Sequence, residues 1–331
     1  MGTRLNSDMS ANSTTDAGNQ VKIWLNRRYH NYNYYLQKTY GEKIRKVSLH
    51  GGFTCPNRDG SKGRGGCVYC NNDSFVPHYI NKDMSIPLQM EASIPFMIDR
   101  YDVQKYIAYF QAYSNTYDEL DKLKRMYEEA VDYPNVIGLD IGTRGDCVDE
   151  PLLEYLAGLN ERVNVTLEYG IESVHDKTLE WMNRGHDYES VIKAVELTKQ
   201  YGIKVAGHII LGFPVESKGM MLETGVAAND LGLDFLKIHQ LHVVKGTVLA
   251  KRYQDKPFPL FQADEYIELV ADILERLNPE IVIQRLFGDA PDEILIAPRW
   301  GYNIPKLTHL MDLELNHRDT WQGRLFKIKN H

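Results

Sequence analysis

Apolar residues along this chain fall into two alternating rhythms. Short β-branched or aromatic runs recur at Ile44–Leu49, Tyr106–Phe110, Val136–Ile141, Asn164–Tyr169, Ile203–Leu211, Phe235–Leu241 and Ile281–Arg285, and they predict strands. Between them, the spacing of one helix face predicts helices over Tyr117–Val131, Asp149–Leu159, Val174–Met182, Tyr188–Tyr201, Lys218–Leu231 and Ala263–Leu277. Repeated strand–helix units favour a parallel sheet, because parallel neighbours need long, usually helical, crossovers. Six or more units in a row predict an α/β fold built as a full or partial barrel. In such folds the chemistry collects at the C-terminal ends of the strands. Polar strings follow the predicted strands here, at Gln111–Thr116, Gly142–Cys147, Glu168–Ser173 and Gly212–Pro214.

Composition supports a folded core, since 43% of the 331 residues are hydrophobic and 25% charged. The expected organisation is a disordered Ser/Thr/Asn-rich tail over residues 1–20, a basic, tyrosine-rich segment over 21–46, a core barrel over 47–245, and a C-terminal extension over 246–331 that packs on the barrel. No apolar run approaches the ~20 residues of a membrane-spanning helix. The start also lacks a signal-peptide pattern, so a cytoplasmic location without a membrane partner is expected.

Charge is distributed unevenly. Between Val21 and His50, seven basic residues face one acid, a net +6 that leaves −13 for the rest of a chain whose total is −7. The same stretch holds Trp24, Tyr29, Tyr32, Tyr34, Tyr35 and Tyr40. Cations interleaved with aromatic rings suit phosphate contacts and base stacking. An amphipathic helix with packed tyrosines and solvated cations accounts for the pattern equally well.

The four cysteines are too few to build a disulfide framework at this length. Three of them crowd into Cys55-x11-Cys67-x2-Cys70, within a Gly/Pro/Asn-rich loop after the first predicted strand. Electron-transfer iron–sulfur clusters use four cysteine ligands, so three ligands would leave one iron open to a cofactor or substrate. The alternatives are a structural Cys3His zinc site completed by His50 or His78, which would make the chain a zinc-braced RNA-binding module, or free redox thiols. Cys147 stands alone at a predicted strand end beside Asp146, and both are candidate catalytic residues. A lone cysteine is more often a small buried hydrophobe.

The string from His50-Gly-Gly-Phe-Thr-Cys-Pro-Asn-Arg-Asp-Gly to Gly66-Cys-Val-Tyr-Cys70 resembles the radical S-adenosylmethionine (radical SAM) superfamily, its Elp3-like branch, and within that the YhcC/YtqA group. The resemblance continues through Tyr109–Tyr117, Gly142–Cys147, Glu168–Ser173, Asn183–His186, Gly207–Pro214 and Ala297–Trp300. It implies a partial (β/α)6 TIM-like barrel with a [4Fe-4S] cluster on Cys55, Cys67 and Cys70. S-adenosylmethionine would bind the open iron and yield a 5'-deoxyadenosyl radical, with electrons from an external one-electron donor. The implied cofactor contacts are Tyr69 near the adenine and Gln111, Ser114 and Asn115 around the methionine portion. Glu168 and Ser173 would meet the ribose hydroxyls, and Arg184 the methionine carboxylate.

The resemblance further implies an MnmL-type enzyme of the tRNA wobble uridine, at position 34, converting 5-carboxymethylaminomethyluridine to 5-aminomethyluridine. An MnmM-type methyltransferase would be its functional partner. The basic Val21–His50 stretch and the Leu315–His331 stretch would then border the barrel mouth and grip the anticodon stem-loop. Radical chemistry on a protein or a small metabolite is the alternative within the superfamily. Two positions depart from the family pattern: Gly145, where proline is common and a more flexible loop is expected, and Glu172, where glutamine is common in related branches.

Overall fold

A computed structural model describes residues 21–71, 80 and 83–327. The predicted tail over residues 1–20 and the alternative zinc ligand His78 lie outside the described residues. The strands are β1 (Ile44–Leu49), β2 (Lys105–Phe110), β3 (Val136–Thr143), β4 (Asn164–Glu172), β5 (Lys204–Leu211), β6 (Phe235–Gln240), β7 (Val243–Val244), β8 (Val282–Arg285) and β9 (Leu295–Ala297). The helices are α1 (Tyr32–Tyr40), α2 (Ile86–Tyr101), α3 (Leu120–Val131), α4 (Glu150–Asn160), α5 (Asp176–Trp181), α6 (Tyr188–Gln200), α7 (Lys218–Asp230), α8 (Val248–Asp255), α9 (Ala263–Arg276) and α10 (Ile304–His317).

Among the described residues, seven strands pair in parallel in the order β1-β2-β3-β4-β5-β6-β8, and β7 pairs with β9 in a separate antiparallel ribbon. Each neighbour in the main sheet follows its predecessor through a crossover, giving the curled half-barrel that the strand–helix alternation predicts. The sheet takes a seventh strand, β8, from within the stretch read as an extension. Its two edges, β1 and β8, are linked across the opening by Lys46 Nζ donating to Gln284 Oε1 at 3.0 Å.

The strands form because their runs bury both faces, as parallel strands between helices must. Five of the six residues of β2 are buried. Helix starts are set by local chemistry: Asp149 accepts from Leu152 N–H at the head of α4, and Ser217 from Met220 N–H at the head of α7. Sequence pattern alone did not predict α2, where Pro87 in the first turn and Pro95 within the helix obscure the period, nor α8 and α10.

The inside of the half-barrel is layered. At the N-terminal ends of the strands, Ile44 and Ile107 pack with Leu36 of α1, while Tyr32 and Tyr35 cover Ala206, Phe235 and Val282. The Tyr35 and Phe235 rings meet edge to face at 5.1 Å. Helix α1 therefore plugs the bottom of the barrel.

This location corrects the expectation that the basic stretches border the mouth. In the N-terminal stretch, Arg27 pairs with Asp312 at 2.6 Å, Arg28 with Asp319 at 2.8 Å, and Arg45 lies over the Tyr101 ring. In the C-terminal stretch, Arg318 pairs with Asp272 and Arg324 with Glu275, and Gln322 N–H donates to Arg28 C=O. Arg27, Arg28, Arg45, Arg318 and Arg324, with the α1 tyrosines, are instead held at the end of the barrel opposite the strand C-termini.

Candidate active site

The loop between β1 and α2 carries the three cysteines over the C-terminal end of the sheet. A turn closes on Cys55, whose C=O accepts from Arg58 N–H at 2.7 Å, and Cys70 N–H donates to Cys67 C=O at 3.0 Å. The loop is strapped to the segment after α5: Val68 N–H donates to Met182 C=O at 2.8 Å and Asn183 Nδ2 to Gly66 C=O at 2.8 Å. Gly66 has φ +78°, and a Cβ there would lie 2.8 Å from Arg58 Nε, so glycine lets the loop close on that guanidinium.

All three thiols line one cavity, and each is met by a cation. Arg144 Nη1 lies 3.9 Å from Cys55 Sγ, and Arg184 Nη1 lies 3.7 Å from Cys67 Sγ, with Asn57 Nδ2 at 3.8 Å from the same sulfur. Arg58 bonds Cys70 C=O at 2.9 Å; burial, then the neighbouring Cys67, pushes the Cys70 thiol up, and the Arg58 charge opposes both. Cationic N–H donors at thiolate sulfurs stabilise negative charge on a metal–sulfur group and tune its potential. Among the described residues, no three His, Cys, Asp or Glu side chains close on a single ion, as a zinc site requires. His50 accepts from Gly52 N–H on Nδ1 and is not part of the cavity lining. Three cysteines lining one cavity, each with a cationic neighbour, fit as thiolate donors to an iron–sulfur cluster.

Beneath the thiols lies a charged layer that the sequence reading did not identify. Glu168 is fully buried; its carboxylate pairs with Lys46 at 2.6 Å and Lys237 at 2.5 Å and takes His208 Nε2 at 3.1 Å. Lys46 also pairs with Asp140 at 2.5 Å, and Lys237 donates to the Tyr109 hydroxyl at 3.0 Å. Burial opposes the Glu168 charge, yet the two lysines hold it well below the usual carboxylate range. Burial pushes Lys237 down to about 7. It likewise pushes His208 to about 4, so that the imidazole is neutral at pH 7. The available signal was a lysine at an inward position of an apolar run, as in Ile-Arg-Lys46-Val and Phe-Leu-Lys237-Ile.

The structure separates the predicted site residues into two groups. Cys55, Cys67, Cys70, Tyr69, Gln111, Ser114, Glu168 and Arg184 share the cavity lining. Gln111 Nε2 donates to Ser48 Oγ at 2.8 Å, and Arg184 is braced by Gly170 C=O and Glu172. Glu168 faces inward, but its oxygens already have three basic partners, which leaves it as a buried charge rather than a free acceptor for ribose. Asn115 is turned to Gly142 C=O at 2.7 Å, and Ser173 is buried against Glu216 at 2.5 Å; neither is part of the lining.

Asp146 and Cys147 also lie outside the cavity lining. Asp146 is clamped by Arg144 at 2.8 Å and 3.0 Å and by Lys62 at 2.9 Å. Although burial opposes its charge, those partners hold its carboxyl far below the ordinary range, which suits an anchor for Arg144 better than an acid/base. Burial, followed by the Asp146 charge, pushes the Cys147 thiol up to about 12, so it stays protonated. The expected flexibility at Gly145 also gives way to packing: a Cβ there would lie 2.9 Å from Val191 Cα and 3.0 Å from Ser190 O on α6.

Comparison with known proteins agrees with this geometry. The model of the radical SAM superfamily matches residues 55–225, and that of the radical SAM C-terminal domain matches residues 233–316. The chain is 38% identical to the Bacillus subtilis protein YtqA over 91% of this chain and 94% of that one. It is 37% identical to Escherichia coli YhcC over 84% and 89%. A Methanocaldococcus infernus relative named tRNA uridine(34) acetyltransferase is 26% identical over 52% of this chain and 32% of that one. The solved structure of M. infernus Elp3 superposes with TM-score 0.64 at 19% identity, covering 84% of this chain and 64% of that one, which shows the shared fold. The chain is therefore an enzyme of the radical SAM superfamily on its Elp3-like branch, and it shares that superfamily's [4Fe-4S] cluster and S-adenosylmethionine, with Cys55, Cys67 and Cys70 fitting as the cluster's thiolates.

Proposed function

We propose that this enzyme modifies the wobble uridine, position 34, of tRNA and converts 5-carboxymethylaminomethyluridine to 5-aminomethyluridine. The observation that carries the reading is a single cavity at the strand C-termini. The three cysteines and their guanidinium partners line it together with Tyr69, Tyr109 and Tyr113. Aromatic walls suit a base unstacked from a single-stranded loop. Support for uridine 34 comes from the M. infernus relative that carries that base in its name.

When bound, the cluster and S-adenosylmethionine supply a 5'-deoxyadenosyl radical that takes one hydrogen atom from the substrate. The chain's own residues hold and orient. Tyr69 would border the adenine, Gln111 and Ser114 the methionine portion, and Arg184, which keeps a buried Nε without a hydrogen-bond partner, the methionine carboxylate. On the substrate side, the methylene between nitrogen and carboxylate loses the hydrogen atom, since the nitrogen lone pair stabilises the resulting radical. That radical gives one electron to a one-electron carrier and the amine proton to solvent, forming a C=N bond. Water adds to it, and cleavage of the C–N bond releases glyoxylate and the 5-aminomethyl group.

The test is nucleoside mass spectrometry of tRNA from cells with and without the gene. Accumulated carboxymethylaminomethyluridine in the deletion is the expected result, and an unchanged profile removes the reading. A released fragment other than glyoxylate overturns the route while leaving the substrate in place.

A further inference from the structure

The wall of the cavity formed by β6 and β8 carries a cation that the charged layer leaves unengaged. Arg285 is the last residue of β8 and lines the cavity, more than a third exposed, into that space. Among the described residues its guanidinium makes no ion pair, and its one hydrogen bond goes to His239 Nε2 at 2.7 Å. Glu168 and Asp289 act on it only through space.

Its orientation is built into the sheet. Phe235 pairs with Val282 and Leu236 with Ile283, but a register shift then pairs Lys237 with Arg285, leaving Gln284 as the extra residue. Without that bulge Arg285 would share the outward face of Ile283, which packs in the helix-side core. With it, Gln284 and Arg285 both face inward, the first to Lys46 and the second to the cavity. Bulges beside active sites serve to re-aim side chains in this way. The loop that follows is fixed by Gln240, which bonds both the N–H and the C=O of Gly288, at 2.8 Å and 3.2 Å. A guanidinium held in place, facing a cavity and without an acid partner, matches the fork geometry of a carboxylate.

We infer that Arg285, backed by His239, is the subsite for the carboxylate that the substrate carries beside its reacting methylene. The inference rests on the uridine reading above. It gives the cavity two ends, a cluster end among Arg58, Arg144 and Arg184 and a substrate-anion end at Arg285, with the reacting carbon between them.

The test is equilibrium binding of three synthetic anticodon stem-loops to the full-length, anaerobically cluster-loaded protein. The loops carry unmodified uridine, 5-methylaminomethyluridine, which lacks the carboxylate, or 5-carboxymethylaminomethyluridine at position 34. The wild type is expected to prefer the carboxylate-bearing loop over the methylaminomethyl loop by about 10- to 100-fold, the range of a charge-assisted fork. Arg285→Gln should erase that preference and Arg285→Lys should keep part of it, with cluster absorbance and melting temperature checked for both.

A preference that survives in Arg285→Gln overturns the subsite and leaves the uridine reading standing. Equal weakening of all three loops by Arg285→Gln also overturns it, since Arg285 would then hold a backbone phosphate. Equal wild-type affinity for all three loops removes the uridine reading itself, and the subsite with it.

Discussion

Replacing Glu168 by glutamine tests the charged layer most directly. Glutamine keeps the shape and one acceptor oxygen but removes the charge between Lys46 and Lys237. Lys46 retains Asp140 at 2.5 Å, whereas Lys237 loses its carboxylate and keeps only neutral acceptors such as the Tyr109 hydroxyl. Removing one partner of a buried pair costs about 3–5 kcal/mol. Lys237 already titrates near 7, through burial first, opposed by Glu168 and reinforced by Lys46 and Arg285. Without Glu168 its folded-state pKa falls further, while the unfolded lysine stays near its ordinary 10.5.

Below pH 7 the wild type holds a paired ammonium, and the variant either carries that charge unpaired or gives it up. Each further unit of depression costs about 1.4 kcal/mol there. Above about pH 8 both proteins hold a neutral lysine, and this part of the deficit disappears. Denaturant unfolding at pH 6 and pH 9 should therefore show a deficit near 3–5 kcal/mol at the lower pH, smaller by at least about 1 kcal/mol at the higher. At about 2–4 °C per kcal/mol in a large domain, the melting temperature at pH 6 should fall by roughly 6–20 °C. A deficit under about 1 kcal/mol at both values, or one that grows with pH, would refute the assignment of a buried, lysine-compensated carboxylate.

Alanine at Cys55, Cys67 or Cys70 should abolish the broad iron–sulfur absorbance and bound iron after anaerobic reconstitution, whereas Cys147→Ala should retain both, because its thiol lies outside the cavity lining. Asp146→Asn leaves Arg144 buried without its acid and should cost about 3 kcal/mol in chemical unfolding near neutral pH. Because the Asp146 carboxyl is held below its unfolded value of 3.8, that difference should persist above pH 4 and shrink as the pH falls through the folded-state value. Gly145→Ala forces a Cβ against the α6 backbone and should lower stability by about 1–3 kcal/mol in the same assay, where a merely flexible loop would show no loss.

Much of this protein is written in local pattern. The run Ile44–Leu49 is strand β1 as the sequence predicts it, and the other six parallel strands lie within a few residues of their predicted ranges. Apolar period and crossover length are local properties, and together they decide a parallel half-barrel. The Cys-x11-Cys-x2-Cys spacing likewise identifies the thiols and places their loop at the end of β1.

Other features depended on which strands become neighbours. The basic, aromatic stretch before β1 has the composition of an RNA-binding surface, yet Tyr32 and Tyr35 cover Phe235 and Arg27 reaches Asp312, residues some 200 or more positions away. Asp146 reads as a catalytic acid until Arg144 and Lys62 are seen to hold it, and Glu168 as a ribose acceptor until Lys46 and Lys237 converge on it from β1 and β6. Arg285 turns inward only because a register shift against β6 inserts Gln284. The role of a charge is set by the groups that share its dielectric surroundings. In a sheet curled back on itself those groups come from distant strands, so sequence determined the scaffold and its thiols, and tertiary structure alone decided which charges are held within it and which face the cavity.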